Sequence, residues 1–137
     1  MFHLMPSRTI SVSIAAAPQE VYAFAADPEN LPRWVPSFCK SVKKINSDWV
    51  VESPLGPAVF RFVESNSFGV LDHVVRLASG VEFHNPMRVI PNGNGCEVIF
   101  TLFRTADMTE KQYADDARLV ESDLLRLKDI LERRHAQ

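Results

Sequence analysis

An α+β fold is predicted for this sequence: a curved antiparallel sheet of about seven strands around a long C-terminal helix, with two short helices after strand one. Three observations predict it. In residues 109–134, Tyr113, Ala117, Val120, Leu124, Leu127 and Leu131 recur at helical spacing and form one continuous apolar stripe. Residues 39–104 read as short strands separated by tight turns. Turns that short imply an antiparallel meander, because parallel strands need long crossovers. A helix of that length spans roughly 40 Å at ~1.5 Å per residue and must bury its stripe, and the sheet is the only large apolar surface left to receive it.

The elements follow in order. Residues 9–14 alternate, with Ile10, Val12 and Ile14 on one side and Thr9, Ser11 and Ser13 on the other, as in a half-buried strand. Pro18 suits a first helical turn, where its missing N–H would have no partner, and opens a short helix to Ala26. Asp27 caps a second short helix over 29–35, which Pro36 ends. Strands are expected at 39–45, 49–52, 59–64, 69–77, 81–90 and 97–104, with Pro86 a site for a bulge. The loop Pro91-Asn92-Gly93-Asn94-Gly95 carries two Asn-Gly pairs, a strong hairpin signal. Thr109 and Gln112 have capping-box spacing at the start of the long helix. Acids early in that helix (Glu110, Asp115, Asp116) and bases late (Lys128, Arg133, Arg134) match its macrodipole.

Bulk properties bound the function. A chain of 137 residues fits one domain over 1–137, large enough to build a core without staples. The net charge of −2 provides no broad basic field, which argues against nucleic acid as a partner. Cys39 and Cys96 form no CxxC pair and no zinc spacing with the four histidines, so buried thiols in a reducing compartment are expected, with no metal and no cofactor. Residues 1–8 lack the basic start and apolar run of a secretory leader, and no stretch approaches the roughly 20 apolar residues of a membrane span. A cytoplasmic protein without stable membrane insertion is the expectation. An exposed edge strand offers a route to a homodimer. Neither GxSxG, a Walker loop, GxGxxG nor HExxH occurs.

The stretch Ile14-Ala15-Ala16-Ala17-Pro18-Gln19-Glu20-Val21-Tyr22-Ala23-Phe24, followed by Asp27-Pro28 and Trp34, resembles the opening of the START-like (SRPBCC) superfamily. The resemblance covers essentially the whole chain and is nearest to small bacterial polyketide cyclase/dehydrase-like proteins. It implies a helix-grip fold with a hydrophobic cavity under the long helix. It transfers no catalytic residue, because carriers, sensors and enzymes share that scaffold.

Strand parity assigns the lining. Val98, Phe100 and Leu102 share one face of the last strand, and Leu71, His73, Val75 and Leu77 share another. Val81, Phe83, Asn85, Met87 and Val89 form a third inward set, and Phe60 and Phe62 are placed inward on their strand. The expected ligand-binding residues are Trp34, Phe60, His73, Phe83, Asn85, Met87, Phe100, Tyr113, Ala117 and Val120. Access is expected near residues 54–57 and the 92–95 hairpin. His73 is the outstanding polar residue on an apolar face, and His84 pairs with it if neighbouring strands are in register; both are candidate acid–base groups. Asn85 offers donors and an acceptor to a ligand carbonyl or hydroxyl. Asp72 points outward by parity, and Arg88 and Glu82 read as exposed partners. The leading expectation is binding of a small hydrophobic molecule, lipid-like or polycyclic. Alternatives are a polyketide cyclase, aromatase or dehydrase using His73 or the His84/Asn85 pair, and a quinone or lipid carrier.

Overall fold

The computed structural model describes residues 1–135. Strand β1 (Ser7–Ile14) pairs antiparallel with β8 (Gly95–Phe103) along its whole length, from Ser7 opposite Phe103 to Ile14 opposite Cys96. Strand β7 (Met87–Asn92) lies on the other side of β8. A second sheet runs β2 (Ser41–Ile45), β3 (Asp48–Ser53), β4 (Gly56–Phe62), β5 (His73–Leu77) and β6 (Glu82–Asn85) in sequence order. Between β1 and β2 come α1 (Pro18–Ala26), a 3-10 turn (Pro28–Asn30) and the one-turn α2 (Leu31–Trp34). Asp27 caps the 3-10 turn by accepting the Glu29 N–H at 3.0 Å.

Eight strands stand where about seven were expected, and Pro86 supplies the reason. Proline has no N–H for the ladder, so the predicted 81–90 strand divides into β6, paired with β5, and β7, paired with β8. The Pro86 carbonyl still accepts the Thr101 N–H at 3.0 Å. Val81 falls in the turn before β6 and is exposed, not inward as parity suggested.

The two sheets meet at a corner. Residues 69–71, just upstream of β5, run beside β7: the Leu71 N–H donates to Met87 O at 2.8 Å and the Val89 N–H to Gly69 O at 2.9 Å. Asp72 holds the bend. Its Oδ1 accepts the Met87 N–H (2.9 Å) and Arg88 Nε (3.1 Å), and its Oδ2 accepts Arg88 Nη2 (2.8 Å). The Arg88 guanidinium beside it holds the Asp72 carboxyl below the usual carboxylate range. Arg88 is thus the partner of Asp72, not of Glu82, because the corner turns its side chain toward the preceding strand.

Gly69 is positioned by this corner. Its φ is +73°, and an added Cβ would collide with the Val89 carbonyl oxygen in the backbone of β7. Gly69→Ala is expected to lower unfolding free energy by about 2 kcal/mol, since neither the backbone conformation nor the inter-sheet bond tolerates the methyl group. Urea denaturation checks this, and unchanged stability would contradict the corner geometry.

Helix α3 (Glu110–Arg133) begins on the expected capping box. Thr109 Oγ1 accepts the Gln112 N–H at 3.0 Å, and Gln112 Oε1 accepts the Thr109 N–H at 2.8 Å. Ala117, Leu124, Leu127 and Leu131 are buried on one face. The far end is tied to β1 and its following loop: Lys128 Nζ donates to Ser13 O (2.7 Å), and Glu132 Oε2 accepts the Ala15 N–H (2.8 Å). The helix packs chiefly on β1, with smaller contacts to α2 and β8. Its middle therefore stands off from β4, β5 and β6, and a gap opens there. No helix among the described residues is long and apolar enough to cross a membrane.

Candidate functional site

The gap is a cavity of about 390 Å³. Its sheet wall is set by register: Phe60 lies opposite Val75, Val75 opposite Phe83, and His73 opposite Asn85. Since alternate residues of a strand share a face, all five project into the same space. Phe100 and Leu102 of β8 extend that wall. Helix α3 supplies Asp116, Leu119, Val120, Asp123 and Leu124. The remaining side is formed by Trp34 and Val35, by Ser37 and Phe38, and by the turn at Pro54 and Leu55. Leu55 and Leu119 are large apolar side chains that are also exposed, which places the mouth between the β3–β4 turn and the middle of α3.

Seven of the ten residues expected to contact a ligand line this cavity: Trp34, Phe60, His73, Phe83, Asn85, Phe100 and Val120. Three do not. Met87 is fully buried beyond the Pro86 break, where β7 packs into the core. Tyr113 donates its hydroxyl to Leu102 O at 2.9 Å, which binds the start of α3 to the end of β8. Ala117 is buried, and its short side chain stops at the helix surface. His84 also falls outside. It is opposite Val74 in register, on the reverse face from His73, and its exposed ring lies 3.5 Å from Glu82. The residue beside His73 is Asn85, so the His73–His84 pairing does not form. The 92–95 hairpin is not at the entrance, because Gly95 abuts the backbone of Ile14 and Ala15 instead.

His73 is 6% exposed and sits among aromatic rings. Phe60 stacks on it at 4.7 Å between centroids, and Phe62 and Phe100 meet it edge-on at 5.3 and 5.8 Å. Its Nδ1 lies 3.0 Å from Leu71 O. A carbonyl only accepts, so Nδ1 carries the proton and Nε2 presents a lone pair. Burial in apolar surroundings pulls the imidazole pKa down to about 4, against smaller opposing effects of the Leu71 carbonyl and Asp72. The ring is neutral at physiological pH.

Across the cavity, two carboxyl groups project from α3, Asp116 and Asp123, on a helix expected to offer a ligand only Tyr113, Ala117 and Val120. Asp123 is 9% exposed, and burial pushes its pKa up to about 7 although Arg126 Nη1 donates to its Oδ1 at 3.1 Å. The same Arg126 nitrogen reaches Trp34 O at 3.2 Å, linking α2 to α3. Asp116 is also raised, first by burial and then by Asp115. The available signal was spacing: Asp123 lies three residues after Val120 and directly before Leu124, on the edge of the apolar stripe. Both cysteines are free and buried. Burial, with Asp123 nearby, pushes the Cys39 thiol up to about 12, which leaves it unreactive at neutral pH.

Solved structures share this architecture at low identity. XoxI from Bacillus cereus matches with TM-score 0.74 and 16% identity over 97% of this chain and 100% of that one. A START superfamily protein from Mycobacterium smegmatis matches with TM-score 0.67 and 12% identity, covering 93% and 97% of the two chains. The ZhuI aromatase/cyclase from a Streptomyces strain matches with TM-score 0.72 and 15% identity, covering 96% of each. These likenesses establish the helix-grip, START-like fold. Among curated proteins, none matches the sequence. The sequence model of one family matches residues 5–133, nearly the whole chain: this chain belongs to the polyketide cyclase / dehydrase and lipid transport family.

Proposed function

We propose that the protein binds a small, predominantly apolar molecule in the cavity between α3 and the sheet. The supporting observation is the cavity itself: about 390 Å³ walled by Phe60, Val75, Phe83, Phe100, Leu102 and Val120, with a few polar groups at fixed points. That size lies within the roughly 300–1,000 Å³ of small-molecule sites, and the mostly apolar lining has the same character as such sites. Each methylene a ligand buries there contributes roughly 0.8 kcal/mol. Asp123 adds a second argument, since desolvated carboxyl groups in a cleft cluster at functional sites.

Catalysis with His73 as general acid is disfavoured by its state. A cyclase, aromatase or dehydrase using it as general acid needs a proton on Nε2 near neutral pH, and its lowered pKa removes that proton. Its orienting partner is a carbonyl rather than a carboxylate, so an imidazolium gains too little there to offset burial. A carrier of quinones or lipids would use the same apolar walls.

Val120→Trp tests the reading, because it places an indole in the space a guest would fill. The wild type is expected to bind methylnaphthalene and to show bound small molecules in native mass spectrometry after purification. The variant is expected to bind at least about tenfold more weakly while remaining folded. Equal binding by the two proteins would end the assignment of the cavity as the binding site.

A further inference from the structure

We propose that the cavity selects ligands carrying a hydroxyl or amine hydrogen-bond donor, received by His73 Nε2 with the Asn85 carboxamide beside it. The inference rests on the ligand-binding reading above and specifies the chemistry of the guest. Its basis is an inventory of polar atoms at the wall. His73 is held by its Nδ1–H on Leu71 O, which directs the unprotonated Nε2 away from the strand backbone. Neither Nε2 nor the Asn85 side chain hydrogen-bonds to any other described residue, and both side chains line the cavity. The two are paired in register on adjacent strands, so their Cβ atoms stand about 5 Å apart on the same face. One hydroxyl can donate to Nε2 and accept from the carboxamide at that spacing.

The rest of the polar lining adds acceptors, together with the Ser37 hydroxyl and the proton that Asp123 partly retains at neutral pH. Asp116 and Asp123 contribute carboxyl oxygens from the opposite wall. Trp34 Nε1, a donor on a lining residue, is sealed inside the protein without a partner among the described residues. A guest with only acceptors, such as an ether or ketone, therefore leaves Nε2 desolvated and unpaired, whereas a guest with an O–H or N–H completes it. Unsatisfied buried acceptors discriminate more strongly between isosteres than apolar walls do.

The test compares naphthol, its methyl ether and methylnaphthalene, all substituted at the same ring position, by titration at neutral pH where naphthol keeps its proton. Naphthol is expected to bind wild type about tenfold more tightly than either of the others. In His73→Phe, which keeps an aromatic ring against Phe60, the ratio of naphthol to methylnaphthalene affinity is expected to fall to about one whatever the absolute affinities, with near-UV circular dichroism reporting that the variant is folded. Equal affinity of wild type for naphthol and methylnaphthalene, or a methyl ether as good as naphthol, would overturn the donor requirement and leave the ligand-binding reading intact. A preference that survives in His73→Phe would overturn the assignment to Nε2. Failure of all three probes to bind wild type would overturn both proposals together.

Discussion

Leu127→Ala is expected to lower the unfolding free energy by about 4 kcal/mol, a large fraction of the roughly 5–15 kcal/mol that keeps a domain folded. Leu127 is fully buried in the central cluster, one turn of α3 beyond the cavity-lining Asp123 and Leu124. The truncated side chain leaves a void that cannot relax easily. Lys128 and Glu132 fasten the helix to Ser13 and Ala15, and Tyr113 fastens its start to Leu102, so α3 is held at both ends. The void would also adjoin space that is already open. Urea unfolding with an unchanged m-value would show the effect as a shift in midpoint. A loss under about 1 kcal/mol would mean that α3 is not seated on the core as described.

The second large effect is electrostatic and depends on pH. The Asp123 carboxyl has the ordinary value of 3.8 when unfolded and about 7 when folded. The folded state therefore holds the extra proton between those values, and the Asp123 contribution to stability falls as pH rises through them. His73 has the opposite sign. Its value is 6.5 unfolded and about 4 folded, so the unfolded state holds the extra proton and stability falls as pH drops through that window. The two slopes largely cancel over the same range in the wild type. Asp123→Asn removes one of them. The variant is expected to match wild type near pH ~4 and to exceed it on the order of 3 kcal/mol near pH ~8, with a steeper loss on acidification. Arg126, left without its carboxylate, still reaches Trp34 O and solvent. Denaturant midpoints at several pH values would show the divergence. A variant no more stable than wild type at alkaline pH would mean that Asp123 is not the desolvated group on the cavity wall.

The same residue shows where local and tertiary information separate. Heptad-like spacing from Tyr113 to Leu131 was enough to predict α3, because a stripe of that length has one physical use. Alternation was enough to put Val98 and Phe100 inward, since the period of a strand is two and one face was charged. Thr109 and Gln112 predicted the helix start from two side chains and their spacing. Each of these depends only on residues a few positions apart.

Other features depend on how distant segments meet. Asp123 reads as a polar residue beside the stripe, and only the standoff between α3 and β4–β6 turns it into a desolvated carboxyl on a cavity wall. Parity placed Met87 with Phe83 and Asn85, but the corner at Pro86 sends β7 into the other sheet and away from the cavity. Asp72 and Arg88 become a staple only because that corner brings them together across the bend. Spacing along the chain alone thus determined the long helix, most of the strands and the inward faces of β5 and β8. The position and depth of the cavity, and the charge state of the groups inside it, were decided by tertiary structure, because desolvation and register are properties of neighbours in space rather than neighbours in sequence.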